Sequence, residues 1–527
     1  MKIRINIKPI TGILLCSCLI ALYSCDDYLT LYPEDDIVDD EYWVDGSKVQ
    51  SVVAAGYRYM ADNATLRKML YWGELRSDNV VYATGGTDED NLYNANLLSS
   101  SSLVSWSGFY NVINICNNVL QKAPAVRDID VNFTEEKLHS YMAEAYTLRA
   151  LCYFYLVRSF GDVPYVTEPS DSEQKDYMVP QAPADSIVNC LISDMEQYGL
   201  QWAPQDWDTE DYTHGRITLN AVRALLADLY LWRASDIANS QADQDYQRCI
   251  DYCDAILNDD NSTLVFAEDD IYATIFYQGN APESIFEINF TNNQLANTST
   301  AQLYGNTSKG STPHFTPSQN LYQLFSENDQ RRYQWLQLNY TTTGGVPSVS
   351  SYRIFKYEGM RAASDFGATD FTYRPANNYA NWIIYRLADV YLMKAEALAI
   401  QAQQRSDYAL AQQAVVLCNT IHNRYTPTSQ DELTIGQISD AEKVVLEERR
   451  RELCFEGKRW YDLLRKVRRQ GNTADAIQLL VAARSGDTQL YEARLQSIDA
   501  WYVPISKTEM NANPNLKQNA YYELKEQ

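Results

Sequence analysis

"AEAYTLRALCYFYLVRSFGDVPYV", residues Ala143 to Val166, carries apolar and small side chains at helical spacing and then breaks at Gly161 and Pro164. Extended upstream, the pattern predicts a helix over 134–160 in which Leu138, Met142, Ala145, Cys152 and Leu156 keep to one face, and glycine followed by proline stops it. The same period recurs in segments 183–199, 218–237, 243–258, 385–403, 406–424 and 437–456. Thr218 stands where an N-cap belongs, and Ala221, Leu225 and Leu229 follow as a stripe. Several of these segments come as hairpin-sized pairs with alanine at close-contact positions and Tyr or Leu between them, a pattern similar to tetratricopeptide repeats. The predicted fold is therefore mainly α.

From Leu264 to Trp382 the texture changes to Asn, Thr, Ser, Gly and Tyr with short β-like pieces such as Ser284 to Phe290 ("SIFEINF"). The runs at 298–312 and 341–351 ("TTTGGVPSVSS") predict long surface loops, where binding groups are commonly carried on a rigid scaffold. The organisation expected is a helical scaffold over about 26–263 and 383–527, with an irregular, loop-rich lobe carrying short β pieces over about 264–382.

Ahead of the scaffold, Lys2, Arg4 and Lys8 precede an apolar stretch from Ile10 to Leu22 that is too short to span a bilayer. This is a secretion leader, residues 1–24. Leu22-Tyr23-Ser24-Cys25 resembles a bacterial lipoprotein box, in which the thiol is alkylated by diacylglycerol, the chain is cut before the cysteine, and the new amine is acylated. More than one acyl chain is needed because each buried methylene contributes only about 0.8 kcal/mol. Cys25 is thus the expected lipidation site; an ordinary signal peptide with an incidental cysteine is the plainer alternative.

The 527 residues carry a formal net charge of −25, and −28 once the three leader cations are gone. Phosphate backbones are repelled by such a chain, so nucleic acid is not an expected partner, and acidic polysaccharides are disfavoured for the same reason. Of ten cysteines, seven lie beyond the leader and its edge: Cys116, Cys152, Cys190, Cys249, Cys253, Cys418 and Cys454. An odd, irregularly spaced set is not a disulfide framework, and most of these read as small core residues. Cys249 and Cys253 are one helical turn apart, but no second pair completes a zinc site, and four scattered histidines argue against a histidine metal centre. No cofactor motif is present: there is no P-loop, dinucleotide glycine pattern, Gly-x-Ser-x-Gly elbow or His-Glu-x-x-His.

Four passages carry a family resemblance: Ala143 to Val166, Tyr385 to Leu398 ("YRLADVYLMKAEAL"), Glu447 to Arg465 ("EERRRELCFEGKRWYDLLR") and Tyr502 to Asn519 ("YVPISKTEMNANPNLKQN"). In this order, behind a lipoprotein box, they resemble the SusD/RagB family of outer-membrane nutrient-binding lipoproteins. Asp26-Asp27 resembles the surface-export signal of lipoproteins in that group. The resemblance implies a tetratricopeptide-like scaffold with an irregular lobe and no catalytic activity. It further implies a SusC-type TonB-dependent β-barrel partner, over which the lipoprotein closes as a lid, and an oligosaccharide ligand, or a peptide in some relatives. The protein is then lipid-anchored at the outer membrane and faces outward. Read from the residues alone, Glu447 to Arg465 is structural: Glu447 pairs with Arg451, Arg449 to Arg451 fork onto neighbouring carboxylates or carbonyls, and Trp460, Tyr461, Leu463 and Leu464 form the core side of the same element.

Sugars offer apolar C–H faces and rings of hydroxyls, so their sites combine flat aromatic rings with hydrogen-bonding groups. Tyrosine supplies both, and the chain has 40. "YWGELRSDNVVYATGG" (Tyr71 to Gly86) and "DEDNLYNANLL" (Asp88 to Leu98) are the most suggestive stretches. "GELRSDN" resembles the family segment whose Arg and Asp, here Arg76 and Asp78, come near the ligand in some relatives. Arg76 can donate to vicinal hydroxyls, Asp78 accept, and Trp72, Tyr82 or Tyr93 stack; the structural alternative pairs Arg76 with Asp78 and buries Trp72. Trp106 and Tyr110 read as packing residues. Tyr304, Phe315 and Trp335, in the polar loops of the second lobe, are expected on the opposite wall, or else as anchors of their loops.

The function expected is glycan capture for an importer. An oligopeptide binder on the same scaffold, a glycoside hydrolase using paired carboxylates, and a repeat scaffold that binds only proteins are the alternatives.

Overall fold

The computed structural model describes residues 42–170, 177–207, 210–290, 295–305, 312–343, 346–361, 371–374, 379–426 and 431–526. The leader, Cys25 and Asp26-Asp27 lie outside the described residues. The chain divides into Met1–Val44 and Asp45–Gln527, and every helix and strand of the described residues belongs to the second unit.

Helices dominate. α1 (Gly46–Met60), α2 (Asn63–Gly73) and a short α3 (Thr87–Tyr93) precede the long α4 (Ser107–Ile129) and α5 (Glu135–Phe160). α5 starts where sequence places it: the Thr134 hydroxyl accepts from the Lys137 amide at 3.3 Å, and Glu135 and Glu136 sit at the positive end of the dipole. It ends at Gly161, whose φ of +79° lies in the left-handed region. The expected single apolar stripe is not what packs. From Ala143 to Phe160 every residue but Tyr146 is buried, because α1 and α4 cover one part of the surface and segment 184–199 another.

α6 (Ala184–Asp194) runs into one wide turn at Met195–Gly199. α7 (Leu219–Ala234) is capped by the Thr218 hydroxyl and packs on α8 (Ala242–Leu257); α8 packs on α9 (Leu387–Arg405), and α9 on α10 (Tyr408–His422) and α11 (Asp440–Leu453). Ala388, Ala395, Ala399 and Ala402 of α9 are fully covered, which lets neighbouring backbones approach closely. The result is the mainly α, tetratricopeptide-like stacking of helical pairs that the sequence predicts.

Strands are few and short among the described residues. β1 (Val80–Tyr82) pairs antiparallel with β3 (Phe315–Pro317), setting Tyr82 opposite Phe315. β2 (Ser284–Ile288) pairs with β6 (Trp382–Arg386), and β4 (Leu336–Thr343) with β5 (Val346–Ile354). The last pair corrects the loop expected over 341–351: its Thr, Val and Ser residues form the end of a hairpin, as β-branched side chains favour. Of the run at 298–312, residues 298–305 form helical turns, and 306–311 lie outside the described residues. All seven described cysteines are free thiols; six are buried and Cys190 is exposed.

Glu447 to Arg465 is two elements, not one. α11 ends at Leu453, and α12 (Arg459–Gln470) begins after a turn in which Phe455 (φ +69°) and Gly457 (φ +75°) are left-handed. A Cβ on Gly457 would stand 3.1 Å from the Trp382 ring. Glu74 fills this turn: its carboxylate accepts from the amides of Phe455 (2.7 Å) and Gly457 (3.1 Å) and from Asn79 Nδ2 (2.8 Å). Burial nevertheless pushes the Glu74 carboxyl up to about 7.

Around the turn lies a buried ion network. Arg386 donates to Glu456 (2.7 and 3.0 Å) and Glu452 (2.7 Å), and lies 3.3 Å from Glu283. Arg331 spans Asp329, Glu448 and Glu452 at 2.7–2.9 Å. Arg449 bridges Asp389 and Asp462, both at 3.0 Å, and Arg465 joins Glu396 to Asp462. The arginines fork as the sequence predicts, with one pairing changed: Arg451 takes the buried Glu448 at 2.7 Å, while half-exposed Glu447 lies 3.9 Å from Lys443. Burial opposes ionisation of Glu452, yet Arg386 and Arg331 hold its carboxyl below the usual range.

Arg386→Met leaves three interior carboxylates without their central cation, and a loss of about 3–5 kcal/mol is expected in urea denaturation. Removing Arg405 from its exposed pair with Asp243 should cost less than about 1 kcal/mol. Glu74 gives the opposite pH response to the network carboxylates. Its folded pKa is raised, so the stability linked to it is complete below about pH 4.5 and is lost as pH climbs through about 7. Urea midpoints of the wild type should fall between pH 5 and 8 relative to those of Glu74→Gln, and parallel profiles would contradict the shift.

Candidate functional site

The turn anchored by Glu74 also fixes the chain immediately after it. Asp78 is fully buried: its carboxylate accepts from Arg459 Nε (2.8 Å) and Nη2 (3.0 Å) and lies 3.3 Å from Arg450, while Arg450 donates to the Asp78 carbonyl and Asn79. Ser318 Oγ donates to the same carbonyl at 2.6 Å. From this base β1 leaves for the surface, and the chain returns as α3.

Tyr82, at the end of β1, and Tyr93, at the end of α3, are both half-buried. Their rings stack with centroids 6.3 Å apart at 28°, and Phe315 meets the Tyr82 ring edge-on at 5.8 Å. Arg484 lies 3.7 Å from the Tyr93 ring and 3.6 Å from the Tyr491 ring, and it donates to the Tyr93 carbonyl. The tyrosine pair is therefore braced from behind.

The Tyr82 hydroxyl donates to the Gly86 carbonyl at 3.4 Å, and Gly86 lines a cavity of about 500 Å³ together with Arg67, Lys68, Tyr71, Asp88, Glu89, Gln302 and His314 among others. Glu89, one helical turn before Tyr93, is its hub. The carboxylate accepts from the Tyr71 hydroxyl (2.5 Å) and the Gly86 amide (3.1 Å) and lies 3.0 Å from His314 Nδ1. Burial, then the bond to Glu89, raises the Tyr71 phenol above its ordinary range. Burial opposes ionisation of Asp88, but the hydroxyl and amide of Ser102, at 2.7 and 2.8 Å, hold its carboxyl below the usual value. Burial lowers the Lys68 ammonium, with Glu509 and Asp62 pulling the other way. Cationic donors and anionic acceptors thus face one space beside a flat aromatic pair, an arrangement suited to a ligand rich in hydroxyls. Among the described residues no group of acidic, histidine and cysteine side chains forms a metal site.

Of the eight residues singled out from sequence, Tyr82 and Tyr93 come together at this surface and six are interior. Trp72 stacks on Phe109 at 5.3 Å and donates to the Leu103 carbonyl. Arg76 does not pair with Asp78: it donates to the carbonyls of Trp501 (2.9 Å) and Ala500 (3.3 Å) and lies 4.0 Å from the Trp460 ring. Tyr304 donates to the Phe455 carbonyl at 2.9 Å, Phe315 packs in the β1–β3 pair, and the Trp335 ring lies 3.8 Å from the Lys356 ammonium. All six, Asp78 included, are at most 3% exposed, so ring stacking and hydroxyl contacts with a ligand are closed to them in this structure. Tyr71, Glu89, Gln302 and His314 were missed. Gly86 followed three residues later by Glu89 is a helix-start pattern that marks the element, but nothing local to His314 signals its partner.

A family model described as "SusD family" matches residues 282–522, and one described as "Starch-binding associating with outer membrane" matches 28–231. The chain is 27% identical to SusD-like protein P38 of Formosa agariphila, over 97% of this chain and 98% of that protein. It is 22% identical to a SusD-like protein of Bacteroides ovatus, over 88% and 82%. Among solved structures, a SusD superfamily protein from Bacteroides fragilis shares the fold with a TM-score of 0.72 at 18% identity, covering 91% of this chain and all of that one. B. fragilis NanU aligns with a TM-score of 0.70 at 20% identity, over 93% of this chain and 100% of its own.

The placement of these side chains separates two kinds of variant. Asp78→Asn strands Arg459 and Arg450 in the interior, with an expected loss of about 3–5 kcal/mol by chemical denaturation. Tyr82→Ala, at a half-exposed position, should cost no more than about 1–2 kcal/mol.

Proposed function

This chain belongs to the SusD family, and on that footing we propose that it is a cell-surface glycan-binding lipoprotein that captures an oligosaccharide on the Tyr82–Tyr93 face and delivers it to a SusC-type TonB-dependent barrel in the outer membrane. One observation carries the ligand class: a cavity that offers both donors and acceptors is joined to the half-buried Tyr82–Tyr93 stack through Gly86, whose carbonyl accepts from the Tyr82 hydroxyl at 3.4 Å, and through Glu89, one turn before Tyr93. A pyranose lays its C–H face on the Tyr82 ring, which Tyr93 and Arg484 support, and turns its hydroxyls to Arg67, Asp88 and Gln302. The outer-membrane association in the matched family description and the lipoprotein box at Cys25 support a lipid-anchored placement. No helix of the described residues is long and apolar enough to cross a membrane, which is compatible with such an anchor. The protein binds and passes on its ligand without cleaving it.

Affinity electrophoresis of the mature protein in gels containing neutral polysaccharides (starch, xyloglucan, galactomannan) tests the reading. At least one should retard the wild type. Tyr82→Ala should weaken that interaction about tenfold, the worth of one ring contact, and Tyr93→Ala, which removes the support of that ring, should weaken it in the same direction. Retention on no glycan, with peptides co-purifying, would favour an oligopeptide ligand, and sustained release of reducing ends would overturn the non-enzymatic assignment.

A further inference from the structure

A second cavity, of about 680 Å³, is lined in part by Trp106, a few residues along the chain from Ser102 and Leu103 of the first. Leu103 and Ser102 line the first cavity and Trp106 lines the second, so a short wall of chain, Val104 and Ser105, separates the two linings in sequence. Ser105 in that wall donates to Glu509 Oε1 at 3.1 Å; Glu509 lines the second cavity, and Lys68, whose ammonium feels the Glu509 charge, lines the first.

The second cavity is built rather than left over. Its rim at 163–170 is tied to α4: Tyr110 donates to the Pro164 carbonyl at 2.6 Å, Asn117 to the carbonyls of Val166 and Glu168 at 3.1 Å, and Asn114 accepts from the Ser170 amide at 2.7 Å. The opposite rim is held from the C-terminal segment, where Asn513 and Asn515 donate to the carbonyls of Val179 and Met178 at 2.8 and 2.6 Å. A cavity fixed this way loses little freedom when a ligand enters.

Its chemistry is narrower than that of the first. Trp106, Tyr110, Tyr165 and Tyr177 supply aromatic surface, and Glu168 and Glu509 supply carboxylates. No Lys, Arg or His is among its lining residues within the described part of the chain. Glu509 Oε2 is buried with no hydrogen-bond partner among the described residues, which leaves an acceptor facing the cavity. A ring with an apolar face and hydroxyl donors meets these demands, whereas a carboxylated or sulfated ring meets two carboxylates and no cation among the described lining residues.

We propose that this cavity is a second subsite for the same glycan chain, taking an uncharged pyranose unit and selecting neutral oligosaccharides long enough to pass Ser105 and occupy both cavities. The inference rests on the glycan-binding reading of the Tyr82–Tyr93 face.

The experiment takes the polysaccharide that retards the mature wild-type protein, from the same neutral panel plus polygalacturonate, cuts it into size-separated oligosaccharides, and measures affinity by calorimetry. Two variants perturb the second cavity alone: Ala512→Trp, which intrudes from an exposed position on the short helix Lys507–Ala512, and Tyr165→Ala, which removes a half-buried ring. Circular dichroism confirms that each is folded. Hexamers and longer oligosaccharides should bind about tenfold more weakly to either variant, with dimers and trimers unchanged. Wild-type affinity of both folded variants for every length would overturn the subsite, as would tighter binding of polygalacturonate than of any neutral glycan. Retention of no glycan by the wild type would instead remove the glycan-binding reading, and this inference with it.

Discussion

The structure depends on charges held away from water. Arg386, Arg331, Arg449, Arg465 and Asp78 are at most 2% exposed, and each is matched by two or more opposite charges, at least one of them from a distant part of the chain. Desolvating such groups costs several kcal/mol apiece, so the arrangement is favourable only when every partner is present together. That condition makes the α9–α11–α12 region and the second lobe interdependent. Glu283 in the lobe, Arg386 at the head of α9 and Glu452 on α11 close one cluster; Asp329 and Arg331 of the lobe meet Glu448 and Glu452 in another. The lobe is irregular in secondary structure but not in its attachment.

The proposed ligand surface takes its fixed position from this interior. Glu74 and Asp78, four residues apart, are tied to the α11–α12 turn and to Arg459, and β1 begins two residues beyond Asp78. The tyrosine pair is thus projected from an anchored base, and α3 is held at its other end by Glu89. An aromatic platform recognises a ring only if its position is already determined, since ordering it on binding would offset a contact worth about 1 kcal/mol. The buried charges therefore act on recognition indirectly, by fixing where β1 leaves the core.

This division explains what was legible in the sequence. Helices 134–160, 218–237, 243–258, 385–403 and 406–424 announced themselves because capping and periodicity are local, and the ends of α5 and α7 fall at Thr134, Gly161 and Thr218 as read. Arg76, Asp78, Trp72 and Trp335 were misleading for the converse reason. Arg and Asp beside aromatics compose sugar sites and sealed ion clusters alike, and what decides between them lies hundreds of residues away: Ala500 and Trp501 for Arg76, Arg450 and Arg459 for Asp78. His314 and Glu89 went unread for the same reason, since only the β1–β3 pairing brings them together.

The abundance of tyrosine is weaker evidence for glycan binding than it looks. Many of the rings close interior polar gaps: Tyr153 on Val166, Tyr272 on the Phe355 carbonyl, Tyr304 on the Phe455 carbonyl, Tyr385 on Asp228. A tightly wound helical stack with an irregular lobe leaves carbonyls unpaired at helix ends and turns, and a phenol reaches them while adding a full ring to the core. Recognition is left to the few rings that combine half-burial with a neighbouring cavity. The Tyr82–Tyr93 stack, linked to one cavity through Gly86, and Tyr110 and Tyr165, which line the other, are such rings, so the discriminating signal is where a tyrosine is placed, not how many tyrosines there are.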